Sequence, residues 1–199
     1  MAKVLVLGND PQINQINFSR LSPGLLTLGV NRIWLKHLPN YFFFNDPEIS
    51  RELEKNPETL AKLRQNSTIF SSDWLNREKV HQVPAWVRVY QRRNKYVFPD
   101  SVTTAIDLFN TNIIGDCTFY LAGVSLKWQQ PSHFWEQLNY QANHSPTQEW
   151  YSPRFKKILQ NFDRLKSLGI KLISVHPDSE LNKVLRYENI ENLYRRNLH

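Results

Sequence analysis

The sequence predicts an α/β domain with a Rossmann-like architecture, in which helices cover both faces of a mostly parallel sheet. Three observations lead to this prediction. Short apolar runs rich in Val, Leu and Phe recur along the chain, and such runs are typical of strands buried on both faces. Amphipathic segments with helical periodicity lie between several of them. Gly8 and Gly123 directly follow predicted strands, whereas Gly115 and Gly169 end predicted helices.

Length and composition limit the organisation of the chain. At 199 residues it can form one substantial core, so residues 1–199 are predicted to be a single domain. A net charge of +7 and a pI near 9.5 favour an anionic partner, such as a nucleotide, nucleic acid, an acidic glycan or a membrane surface. Cys117 is the only cysteine, which excludes a disulfide framework and a cysteine-based metal site. No signal-peptide pattern or long apolar run is present, so we expect a cytoplasmic protein without a transmembrane segment.

The first three predicted strands each end in Asn or Asp. They cover residues 3–7, 25–30 and 41–44, with a short irregular helix after Pro11. Because parallel strands end at the same edge of a sheet, where ligands sit in open α/β folds, the polar residues after them are predicted to form the polar floor of a ligand pocket. These residues are Asn9, Asp10, Asn31, Asn45 and Asp46. Turn chemistry alone also favours these residue types.

The turn at Gly8 has two interpretations. Glycine lets the chain leave the strand sharply, and backbone amides at such a turn near a helix N-terminus can receive a phosphate. The alternative is an ordinary tight turn.

The middle of the chain is predicted to be helical and then less regular. Residues 47–65 have helical composition, and Pro57 divides them into two helices. A strand is predicted at 68–70. Residues 66–100 form an insertion in which aromatic and basic residues alternate, predicted to be a lid or a hairpin with strands at 83–90 and 96–98. Its residues could also stack on bases and neutralise phosphates; they are Trp74, Trp86, Tyr90, Tyr96, Arg88, Arg92, Arg93 and Lys95.

The C-terminal half contains two clear helices and a long loop. Asp100 and Ser101 are predicted to cap a helix that ends before Gly115, with Thr103 and Thr104 in its first turn. A strand at 118–122 follows, and then a polar and aromatic loop at 125–151. A second helix is predicted to start at residues 152–153 and to end at Gly169. A strand at 170–175 and a short helix at 188–197 complete the chain.

Two histidines, His133 and His144, lie in the long loop. Histidine titrates near neutrality and suits proton transfer, so both are candidate catalytic residues. The alternative for each is a surface residue without a chemical role.

Together, these segments resemble the bacterial sialyltransferases of glycosyltransferase family 42 and the related motility-accessory-factor glycosyltransferases. KVLVLGNDPQINQINFSRL resembles the first strand of this group and its Gly-Asn-Gly-Pro-Ser loop, and GVNRIWL resembles its second strand. SVTTAIDLFNTNIIGDCTFYLAGVSL resembles its Thr-Ser-Gly helix and next strand. The stretch from NHSPTQEW to KLISVHPDSEL resembles the loop with the catalytic histidine, the last helix and the last strand. Residues 48–100 have no counterpart.

The resemblance implies roles for several residues. Gly8, Asn9 and Asn31 would hold the nucleotide of an activated sugar, and Thr103 and Thr104 would lie against its phosphate or sugar. His144 would be the general base that takes the proton of an acceptor hydroxyl, with His133 as its rival. The family uses no catalytic metal and no cofactor apart from the donor, and the lack of an Asp-x-Asp motif agrees with this.

Four departures from the family pattern concern the phosphate side of the site. Asp10 replaces a glycine, Gln12 replaces a serine, and Thr104 stands third in the Thr-Ser-Gly motif. Where the family has a tyrosine for the donor phosphate, this chain has Lys127 and Trp128. Lysine can neutralise a leaving phosphate by charge, but the departures bring CMP-sialic acid as the donor into question.

Three functions are consistent with these residues. The first is a glycosyltransferase that moves a sugar from a CMP-sugar-like donor to a glycan or other hydroxyl, with His144 as base and Lys127 or Arg88 near the leaving phosphate. The second is a non-catalytic module that sequesters a nucleotide, which the carboxylate of Asp10 favours. The third is a sugar transferase that acts on DNA, supported by the net charge and the basic stretch at 92–95.

Overall fold

The computed structural model describes residues 1–77, 83–92, 100–138, 140 and 147–195. Eight strands form one sheet: β1 (Ala2–Leu7), β2 (Leu26–Val30), β3 (Tyr41–Phe43), β4 (Thr68–Ser72), β5 (Arg88–Tyr90), β6 (Cys117–Ala122), β7 (Lys171–Ser174) and β8 (Arg186–Tyr187). The α-helices are α1 (Pro47–Glu54), α2 (Pro57–Asn66), α3 (Trp74–Arg77), α4 (Ser101–Asn112) and α5 (Gln148–Ser167).

The sheet order is β5-β4-β3-β2-β1-β6-β7-β8, and neighbouring strands pair in parallel throughout. The chain moves outwards from β1 to β5, returns to the other side of β1 as β6, and continues to β8. The topological switch point therefore lies between β1 and β6. In open α/β sheets, ligands bind outside the carboxyl ends of the strands at this point. The predicted α/β fold with a mostly parallel sheet is confirmed.

The core has two layers because alternate residues of each strand point to opposite faces of the sheet. In β1, Leu5 and Leu7 pack on one face and Val4 and Val6 on the other, and all four are fully buried. Helices α4 and α5 cover the second face, mainly through Phe109 and Phe162 together with their apolar neighbours. β1 and β6 therefore lie at the buried centre of the domain.

The insertion predicted at 66–100 contributes two strands to the sheet. β4 pairs with β3, and β5 pairs in parallel with β4 at the sheet edge. The described pairing of Arg88–Tyr90 is therefore the parallel one with β4. The second strand of the predicted hairpin, residues 96–98, is not among the described residues, and neither are Arg93 and Lys95 of the predicted basic tip.

Two helix predictions near the C-terminus were wrong. α5 begins at Gln148, four residues before the predicted start, because the Thr147 side chain accepts a hydrogen bond from the Trp150 amide and caps the helix there. Pro153 consequently lies inside the helix. In the described part of the predicted helix at 188–197, only a 3₁₀ helix forms, at Ile190–Leu193, and Tyr194 then forms a β-bridge with Leu21. Residues 196 and 197 lie outside the described residues.

None of the helices in the described ranges combines the length and apolar character that a transmembrane span needs.

Candidate functional site

A cavity of about 510 Å³ opens at the carboxyl ends of the central strands. Its floor is formed by the residues that follow β1, β2, β3 and β6, and the N-terminal ends of α4 and α5 stand beside it. The cavity thus lies at the topological switch point of the sheet. Its volume is within the usual range of roughly 300–1,000 Å³ for small-molecule sites.

Gly8 is required for close packing between the ends of β1 and β6. A Cβ atom at Gly8 would lie 2.3 Å from the carbonyl oxygen of Gly123, so any side chain would push the two segments apart. The Gly8 amide donates to the Ala122 carbonyl at 2.8 Å, and the Asp10 amide donates to the Gly123 carbonyl at 3.0 Å. These two amides are therefore bound within the protein and are not open to a phosphate. Gly8 itself does not line the cavity.

Asp10 places a carboxylate in the cavity at the switch point. Its carboxylate accepts a hydrogen bond from the Ser125 amide, which fixes the side chain against the segment after β6. Burial raises the pKa of Asp10 to about 6, although the hydrogen bonds from Ser125 lower it. Asp10 can therefore change its charge in the cavity near neutral pH.

Three asparagines end neighbouring strands and line the same cavity, as predicted from their positions. Asn9 follows β1, Asn31 follows β2 and Asn45 follows β3. Asn31 adopts a left-handed conformation, with φ of 52°, and its Oδ1 accepts from the Ser101 hydroxyl at 3.2 Å. Asn45 Oδ1 accepts from the Ser72 hydroxyl at 2.6 Å. This bond fixes the orientation of the Asn45 carboxamide.

Two of these asparagines have buried polar atoms without a hydrogen-bond partner among the described residues. They are the acceptor Oδ1 of Asn9 and the donor Nδ2 of Asn45. Buried polar atoms in native proteins are almost always hydrogen-bonded, so unpaired atoms beside a cavity point to a ligand. A ligand that donates to Asn9 and accepts from Asn45 would satisfy both.

The N-terminus of α4 is already capped by a carboxylate. Asp100 accepts from the Thr103 amide at 2.8 Å and from Asn161 Nδ2 at 2.9 Å, and burial raises its pKa. Asp100 lines the cavity, whereas Thr103 and Thr104 are fully buried and do not. The first turn of α4 therefore presents Asp100 and Ser101 to the cavity rather than the two threonines.

His133 belongs to a hydrogen-bonded chain of side chains in the cavity wall. Its Nδ1 lies 2.9 Å from Oε1 of Glu136, and its Nε2 lies 2.7 Å from the hydroxyl of Tyr151. Only 6% of His133 is exposed. The Phe134 amide donates to the Asn9 carbonyl at 2.9 Å, which holds the histidine segment against the turn after β1.

A buried ion pair packs against the part of the cavity wall that contains His133 and Trp135. Arg32 makes a two-pronged contact with the carboxylate of Glu52, and Glu48 lies 3.4 Å away. The Arg32 guanidinium also lies 5.2 Å from the ring centroid of Trp135, and the imidazole of His133 is stacked on the same indole at 4.1 Å. Arg32, a residue that the sequence analysis did not identify, thus contacts the indole on which the His133 ring is stacked.

Among the described residues, the lysine and arginine side chains that line the cavity are Lys127 and Arg154. The Lys127 side chain is 47% exposed and its ammonium lies 4.0 Å from Glu180, and Arg154 lies over the Trp150 ring at 3.7 Å from its centroid. Arg88, the other residue predicted near a leaving phosphate, begins β5 and lines a separate cleft at the amino edge of the sheet. His144 lies outside the described residues.

Tyr151 and Glu136 were missed as site residues. Glu136 follows His133 by three residues, a spacing that brings side chains together on a helical turn, so this contact had a local signal. Tyr151 is eighteen residues from His133 in the chain, and only the packing of α5 against the wall brings them together. Among the described residues, no group of three or more His, Cys, Asp or Glu side chains is arranged to hold a metal ion.

Comparisons with known proteins give similarity at the level of structure alone. No protein-family model matches the chain, and no curated protein matches it in sequence. The sialyltransferase CstII from Campylobacter jejuni, in complex with the substrate analogue CMP-3FNeuAc, aligns with a TM-score of 0.56 at 14% identity. That alignment covers 100% of this chain and 93% of CstII. The fold is shared with these sialyltransferases.

Two further structures show the same likeness. CstII in complex with a trisaccharide acceptor and CMP aligns with a TM-score of 0.58 at 14% identity, over 98% of this chain and 91% of that one. The monofunctional α-2,3-sialyltransferase Cst-I from Campylobacter jejuni aligns with a TM-score of 0.60 at 15% identity. That alignment covers 98% of this chain and 82% of Cst-I. The predicted resemblance to bacterial sialyltransferases is therefore confirmed for the fold, and these alignments cover 98–100% of this chain.

Proposed function

We propose that this protein is a glycosyltransferase that moves a sugar from a nucleotide-sugar donor to an acceptor hydroxyl, without a metal and with a histidine as general base. The observation that carries the proposal is the position of the cavity. It lies at the switch point between β1 and β6, in a fold shared with enzymes whose structures hold CMP, CMP-3FNeuAc and a trisaccharide acceptor. A CMP-sugar-like donor is the first candidate on this ground.

The three asparagines are proposed to hold the nucleotide. Asn9 offers a free acceptor and Asn45 a free donor, and a nucleobase carries both complementary groups on one edge. Asn31 lies between them because β2 lies between β1 and β3. Neutral carboxamides can therefore recognise the base without adding charge to the floor of the cavity.

Charge on the leaving phosphate is proposed to be balanced by side chains rather than backbone amides. The amides of Gly8 and Asp10 are bound to carbonyl groups, and the N-terminus of α4 is capped by Asp100. Within the described ranges, Lys127 and Arg154 supply the ammonium and guanidinium groups that line the cavity. As the bond between the anomeric carbon and the phosphate oxygen breaks, either cation can stabilise the charge that develops on that oxygen.

The histidine that acts as base has two candidates. The family resemblance assigns the role to His144, and the described cavity contains His133. A base takes the proton of the acceptor hydroxyl as its oxygen attacks the anomeric carbon, a contribution worth about 10²- to 10⁴-fold in rate. Replacing each histidine separately by Asn will separate the two candidates.

A nucleotide-sequestering module is the second candidate function, and the carboxylates of Asp10 and Asp100 favour it. Both line the cavity near the positions where phosphate would otherwise meet free amides. Such a module would bind a nucleotide and would not release its sugar.

The test is calorimetric titration of the purified protein with CMP, UDP, GDP and ADP, followed by a hydrolysis assay with the sugar conjugate of the nucleotide that binds. Binding together with slow hydrolysis that depends on His133 or His144 would support the transferase. Tight binding without hydrolysis would favour sequestration. Failure to bind any of the four would contradict both. A DNA-directed transferase would instead bind oligonucleotides with an affinity that falls steeply as salt is added.

A further inference from the structure

Both ring nitrogens of His133 are occupied by protein groups. Nδ1 faces the Glu136 carboxylate at 2.9 Å and the Ser132 hydroxyl at 2.8 Å, and Nε2 faces the Tyr151 hydroxyl at 2.7 Å. With Glu136 as a carboxylate, the proton of a neutral imidazole belongs on Nδ1, so Nε2 accepts from Tyr151. A substrate hydroxyl in the cavity therefore has no free nitrogen of His133 to contact.

We infer that Tyr151 is the catalytic residue that contacts the acceptor hydroxyl, and that it passes the acceptor's proton to His133. This inference rests on the proposed glycosyltransferase function. Tyr151 lines the cavity, and its hydroxyl oxygen can accept a hydrogen bond from an acceptor while its own hydrogen points at Nε2. His133 receives the Tyr151 proton, and Glu136 acts behind His133 as a positioning residue.

Side chains of the cavity wall accept every proton that moves in this step. The acceptor oxygen forms a bond with the anomeric carbon, and the bond from that carbon to the phosphate oxygen breaks, so its electron pair leaves with the nucleotide. The acceptor's proton moves to the Tyr151 oxygen as the Tyr151 proton moves to His133 Nε2. The product is an imidazolium whose Nδ1–H faces the carboxylate of Glu136.

The electrostatics of the wall require the two proton movements to be concerted. Burial raises the pKa of Tyr151, and the nearby carboxylates of Asp10 and Glu136 raise it further, whereas Arg154 and Arg32 lower it. A free tyrosinate is therefore disfavoured in this cavity. An imidazolium is favoured by Glu136: partial burial raises the pKa of this carboxyl, but hydrogen bonds from Ser132 and His133 bring it below its ordinary value.

Packing and hydrogen bonds hold the hydrogen-bonded side chains Tyr151, His133 and Glu136 in place. The His133 ring is stacked on Trp135 at 4.1 Å, and the Tyr151 ring is stacked on Phe155 at 5.2 Å. The Phe134 carbonyl accepts from Asn14 at 3.0 Å, which ties the segment to the 3₁₀ helix Pro11–Gln15. Glu136 is 39% exposed, so the proton can leave to water at that end.

The experiment compares Tyr151→Phe, Glu136→Gln and His144→Asn with the wild type in hydrolysis of the donor, in which water replaces the acceptor. Tyr151→Phe removes one oxygen atom and should lower kcat at least 100-fold, with nucleotide affinity changed less than threefold. Glu136→Gln should lower kcat and move the acidic limb of the pH profile to lower pH, because the imidazolium loses its carboxylate. Replacing a residue with a purely structural role would not shift the acidic limb of the pH profile. Tyr187→Phe, in exposed β8, is the matched control and should leave kcat unchanged.

Each outcome decides the inference. Retention of kcat within threefold by Tyr151→Phe would overturn it and leave the proposed function intact, most clearly if His144→Asn were inactive. Loss of kcat in Tyr151→Phe with normal activity in His144→Asn would support it. A wild-type protein that binds none of the four nucleotides and hydrolyses no donor would overturn the proposed function and this role together.

Discussion

Replacing Asp10 by Asn should stabilise the protein at neutral pH. The carboxyl is confined between the turn after β1 and Ser125, and burial raises its pKa from 3.8 to about 6. Between these two values the folded carboxyl keeps a proton that the unfolded chain releases. The stability of the wild type therefore falls as pH rises through this window and stays lowered above it. Asparagine has the same shape and can still accept from the Ser125 amide.

The size of the effect follows from the pKa change. Each pKa unit corresponds to about 1.4 kcal/mol, so a rise from 3.8 to about 6 lowers the free energy of unfolding by about 3 kcal/mol at pH 8. The Asn variant should exceed the wild type by up to this amount at pH 8. The advantage should shrink as pH falls below 6 and approach zero only about one pH unit below 3.8, where the folded and unfolded carboxyls are both largely protonated.

Urea unfolding followed by tryptophan fluorescence, at intervals from pH 4.5 to 8, measures this difference. Asp46→Asn is the matched control because Asp46 is an exposed helix cap and asparagine caps equally well. Its difference from the wild type should stay within about 0.5 kcal/mol at every pH. An advantage of Asp10→Asn that does not grow between pH 4.5 and 7 would refute the reasoning, because the carboxyl would then carry no burial penalty.

Three further substitutions test other parts of the site. Gly8→Ala should lower the free energy of unfolding in urea by about 1–3 kcal/mol through overpacking against Gly123. Gly24→Ala, with open space around it, should have little effect in the same measurement. Asn31→Gly keeps the left-handed backbone and removes the carboxamide, so calorimetry should show nucleotide affinity reduced about three- to tenfold; unchanged affinity would place the base elsewhere. Arg32→Met leaves two glutamates without their buried cation and should destabilise the protein by about 3 kcal/mol in urea; a neutral result would show that this ion pair does not support the wall.

The parts of the fold that were predictable are those with local causes. Each central strand is a short run of large apolar residues that ends in a turn residue, and both features lie within a few positions of one another. The cap of α4 was predictable for the same reason, because Asp100 accepts from the amide of Thr103, three residues later. The start of α5 was not predicted, since its first turn is polar and Pro153 indicated a later beginning.

The parts of the site that were not predictable depend on contacts between distant positions. Gly8 was interpreted as a residue of a phosphate-binding turn, but its lack of a side chain serves contact with Gly123, which is 115 positions away. The Asp10 carboxylate accepts a hydrogen bond from the Ser125 amide, which is also 115 positions away in the sequence. The positions of Asn9, Asn31 and Asn45 were predictable because parallel strands must end together. Which of their atoms remain unpaired depends on the packing around each one.

The same packing indicates where the proposed reaction would place its donor phosphate. At the switch point, the space between β1 and β6 is closed by two amide–carbonyl bonds and by the carboxylate of Asp10 on Ser125. A phosphate placed there would meet a negative charge instead of free amides whenever Asp10 is ionised. The compensating cations, Lys127 and Arg154, come from the segment after β6 and from α5, on the side of the cavity where Tyr151 also lies. Because the cations and the proton relay share that wall, the proposed reaction is expected to take place against α5 rather than over the turn after β1.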